Sequence, residues 1–134
     1  MGEPVAPPGD LVLRLRAHVE SVRAARRAVD QLPGLDDHAE VVFTLRLLVT
    51  ELVANCVRHA GLREEDVIVL DLDVQSSCVR VSVSDPGPGF QPAPPQEPPD
   101  GMSGRGLFLV DALSSRWGVE RGSEDTTVWV EIDL

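Results

Sequence analysis

"ELVANCVRHA", residues 51–60, places Glu51, Asn55 and His59 at intervals of four inside a segment that otherwise reads as a buried apolar helix. Residues four apart lie one above another on a helix, so these three form a single polar stripe. A core helix does not ordinarily accept such a stripe. It must face either solvent or something polar bound inside the protein. The wider pattern, "DHAEVVFTLRLLVTELVANCVRH" from Asp37 to His59, is apolar nearly all round. It predicts a long helix packed on a sheet with other structure beyond it, ended by Ala60-Gly61.

Working outward, Leu11, Leu13 and Leu15 alternate with Val12, Arg14 and Arg16, the period of a short strand. A helix follows in "SVRAARRAVDQL", with Ser21 as a candidate N-cap, Val22, Ala25, Val29 and Leu32 on one face, and Pro33-Gly34 as its stop. Beyond the long helix, "VIVLDLDV" (67–74) and "VRVSVS" (79–84) alternate and are joined as a hairpin through residues 75–77. "GRGLFLVDALSS" restarts a helix, and "WGVER" and "TTVWVEIDL" supply two last strands, with Trp129 assigned to packing. Residues 1–10 are rich in Pro and Gly and are expected to be disordered, leaving 11–134 as a single domain. The expected fold is a two-layer α/β sandwich of the α+β kind, its mixed, mainly antiparallel sheet covered by helices on one face.

The 134-residue chain carries a net charge of −10, and all 12 of its basic residues are arginine. The acidic balance argues against a nucleic-acid partner, whose backbone is held by basic surface. The lack of lysine excludes P-loop and Schiff-base chemistry. No apolar run approaches a membrane span, and the first ten residues lack the pattern of a signal peptide, so a cytoplasmic protein without membrane contact is expected. Cys56 and Cys78 have no metal-ligand spacing and read as reduced, buried thiols.

Three stretches need a common explanation: Glu51-x-x-x-Asn55, Asp85-x-Gly87-x-Gly89, and Gly104-x-Gly106-Leu107. Singly, each has an ordinary reading as a solvated pair, a turn and a loop entry. In this order, and on these elements, they resemble the GHKL (Bergerat-fold) ATP-binding superfamily, which includes gyrase, MutL and the histidine kinases. The resemblance spans roughly Ala39 to Leu134. Within the superfamily the chain looks most like the RsbW and SpoIIAB type, anti-sigma factors that act as serine kinases.

That resemblance implies ATP and Mg²⁺ as cofactors, with Glu51 as general base and Asn55 as magnesium ligand. The chemistry agrees: a carboxamide oxygen is a hard ligand, and phosphoryl transfer needs mainly positioning, a cation and a base. Asp85 would accept from the adenine 6-amino group and oppose the 6-oxo group of guanine. Gly87 and Gly89 would let the ligand approach the backbone. Gly104 and Gly106, before Leu107, would offer amides to phosphate, with Arg105 adding charge. Thr126 or Thr127 would supply a hydroxyl near the base, Thr127 being the residue carried into the candidate site. Arg58 and His59 are further candidates for phosphate contact, although a histidine at a helix end also suits the dipole without any ligand. The segment 90–103, with Pro92, Pro94, Pro95, Pro98 and Pro99, stands where the family has its ATP lid and is shorter than the helix-forming lids of gyrase. The partners implied are a sigma factor and an anti-anti-sigma protein of the STAS type, with a homodimer using the Leu11–Leu15 strand and the helix after it. The alternatives are a non-catalytic ATP-binding module and a stand-alone histidine-kinase-like ATPase domain. The latter finds no suitable phosphoacceptor hairpin around His18, His38 or His59.

Overall fold

A computed structural model of the chain describes residues 10–59, 62–86 and 105–134, the side chains of residues 59 and 105–107 excepted. The elements run β1 (Leu11–Arg16), α1 (Glu20–Asp30), α2 (Ala39–His59), β2 (Val67–Val74), β3 (Cys78–Asp85), α3 (Arg105–Leu113), β4 (Arg116–Arg121) and β5 (Thr126–Asp133). The strands form one five-stranded sheet in the order β1-β2-β3-β5-β4. Among the described residues every pairing is antiparallel, where the sequence reading expects a mixed, mainly antiparallel sheet. Among the described residues, no helix is long and apolar enough to cross a membrane.

Alternation along the strands sorts the sheet into two faces. Leu15, Ile68, Leu70, Leu72, Val79, Val81, Val83, Val128, Val130 and Ile132 are buried on the face that the helices cover. The register keeps them together, pairing Leu15 with Ile68, Leu72 with Val81, Val81 with Val130 and Val83 with Val128. From the helix layer, Ala25 and Val29 of α1 and Leu45, Leu48, Val49, Leu52 and Val53 of α2 complete the core. Each such buried Leu or Val contributes about 1.5–3 kcal/mol over leaving it exposed.

α2 is not buried all round: Phe43 and Leu47, one turn apart, remain exposed. Ser21 is not the cap of α1. The helix starts a residue earlier, at Glu20, whose amide donates to His18 Nδ1 at 3.1 Å. The Ser21 hydroxyl instead donates back to the Arg16 carbonyl at 2.6 Å, so it fastens the helix start to the end of β1. Gly34 ends the α1 turn with φ of 87°, a conformation open to glycine at little cost. The N-terminal segment 1–9 and the loop 90–103 lie outside the described residues.

Candidate functional site

Among the described residues, three polar or charged side chains are buried: Asn55 at 8% exposure, Asp85 at 3% and Thr126 at 2%. They come from three elements and gather at one end of the sheet. Asn55 lies in the last turns of α2, Asp85 is the last residue of β3, and Thr126 opens β5 directly opposite Asp85 in the ladder. A polar group in such a position costs free energy unless it is paired, so three together mark a place where the apolar layer was given up for another purpose.

The link between helix and sheet is Cys56. Its thiol, 2% exposed, donates to Asp85 Oδ2 at 3.6 Å. Burial pushes the Cys56 thiol far up from its ordinary pKa, and the neighbouring Asp85 charge and hydrogen bond push it further. It therefore stays protonated, and a donor, at neutral pH. Cys78 is likewise free and buried, with its thiol toward Gln75 Oε1 at 3.5 Å in the β2–β3 connection.

Glu51 sits one turn before Asn55 and is half-buried. Helix periodicity places both on one face, as the opening stripe requires. Arg58 is exposed, and His59 closes α2. Arg105, Gly106 and Leu107 form the first turn of α3. Gly87, Gly89 and Gly104 lie outside the described residues.

Thr127 is not brought into this cluster. Its hydroxyl lies 2.7 Å from Ser84 Oγ on the open face of the sheet, while Thr126 occupies the position beside Asp85. Neighbouring residues on a strand point to opposite faces, so a choice between two adjacent threonines is a choice between two sides of the molecule. Beside the cluster, a cavity of about 280 Å³ is lined by Pro86, Thr126, Arg121 at the end of β4 and residues 122–125 of the β4–β5 turn. The contact of Cys56 with Asp85 had no signal in the sequence beyond its place next to Asn55.

The arrangement offers a buried acceptor for an amino group, a carboxamide oxygen, and a carboxylate one helical turn away. Comparison with known proteins gives it a context. The family model of the histidine kinase-like ATPase domain matches residues 15–132. An uncharacterized protein of Streptomyces coelicolor is 36% identical over 86 residues, covering 62% of this chain and 79% of that protein. The RsbU and RsbW domains of a Mycobacterium tuberculosis protein share the fold, with a TM-score of 0.70 over 95% of this chain and 22% identity. A blue-light activated histidine kinase of Erythrobacter litoralis aligns over 91% of the chain with a TM-score of 0.57 and 28% identity. The chain spans about a third of the first of these structures, 33%, and 42% of the second.

Proposed function

This chain belongs to the family of histidine kinase-like ATPase domains, and we propose that within it the protein is an ATP-binding regulatory serine-protein kinase of the anti-sigma factor type. Its fold is the RsbW-like variety of the GHKL superfamily. The observation that carries the reading is the joint burial of Asn55 and Asp85, tied through Cys56 at the end of an apolar layer.

In this reading Asp85 accepts from the adenine 6-amino group, with the Thr126 hydroxyl beside it. Asn55 contributes its carboxamide oxygen to Mg²⁺. Among the described residues, no group of three or more His, Cys, Asp or Glu is placed to hold a metal ion. A single amide ligand suits Mg²⁺, which takes most of its coordination from phosphate oxygens and water. Magnesium there would neutralise charge on the phosphates. Glu51 takes the proton from a serine hydroxyl of the partner as its oxygen bonds to the γ-phosphorus. The bond from that phosphorus to the β–γ bridging oxygen breaks, and ADP leaves with the electron pair. Family resemblance adds phosphate contacts from Gly104, Arg105 and Gly106, close backbone approach at Gly87 and Gly89, and Arg58 and His59.

The substrate is a small anti-anti-sigma protein of the STAS type. The added charge releases it, and a sigma factor is held or freed by partner exchange. Two copies of the chain pair through β1 and α1. β1 is an edge strand with Val12 54% exposed, which supports such a surface.

The test is intact mass of a co-purifying STAS-type partner before and after Mg-ATP, with Glu51→Gln as control. Gain of one phosphate on serine is expected, slowed by about 10²–10⁴ in the variant, as for loss of a general base. An unchanged mass with ATP binding shown separately would instead favour a non-catalytic module.

A further inference from the structure

The reading above uses Asp85 and leaves Cys56 without a role, although the two side chains are in contact. Cys56 follows Asn55 directly on α2, yet it points to the sheet and reaches a carboxylate 29 positions further along the chain. Alanine would fill this 2%-exposed position on the helix without a polar atom. A thiol packs almost as well, because sulfur is soft and apolar, and it adds one weak donor. That donor meets Oδ2 of a side chain that is itself 3% exposed.

A carboxylate turns about two single bonds, and only some of its orientations present an oxygen to a planar amino group in line. Each orientation given up on binding weakens the complex, so a donor that fixes the carboxylate beforehand strengthens it. We propose that Cys56 is a positioning residue for adenine recognition: its thiol holds Oδ2 of Asp85 and so helps to fix the orientation from which the carboxylate accepts from the 6-amino group. The thiol touches neither ATP nor the reacting atoms. The inference rests on the assignment of Asp85 to the adenine base and goes beyond it in naming what orients that residue.

The test compares ATP with purine riboside triphosphate, which lacks only the 6-amino group, and measures binding of each in the presence of Mg²⁺. The proteins are the wild type, Cys56→Ala and Cys56→Ser. A thermal melt of each shows that the fold is kept. In the wild type ATP is preferred. Cys56→Ala is expected to weaken ATP about threefold to tenfold, the loss of roughly one modest hydrogen bond. The analogue, which makes no bond through that group, is unchanged. Cys56→Ser restores the preference, because a hydroxyl donates to the same oxygen. If both nucleotides weaken equally in Cys56→Ala, the residue serves packing alone and the positioning role is overturned. It is overturned too if the preference survives intact. A wild type that binds both equally overturns the adenine assignment of Asp85 itself, and the two failures are thereby distinguished.

Discussion

Asn55 and Asp85 are the residues at which the chain departs most clearly from what a stable core requires. Each is buried, at 8% and 3% exposure, in a position that an apolar side chain would fill more cheaply. Their division of labour leads to separate expectations. If Asn55 lends its oxygen to Mg²⁺, Asn55→Ala should erase the gain in ATP affinity that magnesium gives the wild type and leave metal-free binding nearly intact. Titrations with and without a chelator measure this directly, and a variant whose affinity still responds to magnesium would remove Asn55 from the metal site. Asp85→Asn should weaken ATP by about 10–100-fold, the scale of a hydrogen bond to a charged group, checked by the same titration. The spacing of Glu51 and Asn55 was legible because a helix repeats every four residues, and Asp85 because a turn sequence ended a strand. Thr126 was not separable from Thr127 without the register. The bond between Cys56 and Asp85 joins two elements whose approach depends on the packing of the whole helix layer, so no local pattern announces it.

At the level of elements, the open face of the sheet is as organised as the covered one. Trp129 lies directly opposite Gly118 in the β4–β5 ladder, and the Arg80 guanidinium stacks over its ring at 4.5 Å. Arg80 and Arg116 both donate to Glu131, at 2.9 and 2.8 Å. Gly118 is what lets the indole lie across β4. A Cβ there would come within 2.8 Å of the ring. Gly118→Ala should therefore displace Trp129, disturb the Arg80 contact and destabilise the protein by about 1–3 kcal/mol, the range for overpacking. A lowered Tm with a changed tryptophan emission would show it; an unchanged Tm would mean the ring moves freely. The strands and the long helix were readable because their periods, two and nearly four, persist over six to twenty-one residues. The start of α1 was not, because its first amide is served by a histidine two residues before it rather than by the serine that composition favours. Strand direction was open for a related reason: alternation shows which residues share a face and says nothing of which strands are neighbours.

For the molecule as a whole, pH pulls on two sets of carboxylates in opposite ways. On the open face Asp71 is pushed up to about 6, chiefly by burial, then by its hydrogen bond with Asp10 and the charges of Asp10 and Asp73, with Arg80 opposing. Among the described residues, neither Asp71 Oδ1 nor Asp73 Oδ1, both buried there, has a hydrogen-bond partner. A carboxyl whose pKa is raised on folding binds its proton more tightly in the native state, so its contribution is full below about 3.9 and is lost as pH rises through about 6. Glu131 and Asp133 behave oppositely. Hydrogen bonds from Arg116, and for Glu131 also from Arg80, hold them below the usual carboxylate range, so their contribution is lost as pH falls. The net charge of −10 adds general repulsion that fades toward the pI near 4.6. These tendencies together place maximum stability on the acid side of neutrality, near pH 5, rather than at pH 7.5. Asp71→Asn replaces the charge by an amide that still reaches Asp10. It should stabilise the protein at pH 7.5 by about 1 kcal/mol, a figure reduced for the solvent that screens a half-buried group. The gain should shrink at pH 5, where the wild-type carboxyl already carries much of its proton. Melting curves of both proteins between pH 4.5 and 8 decide the matter: converging curves on the acid side are the expected result, and a constant offset would mean that Asp71 does not titrate in this range.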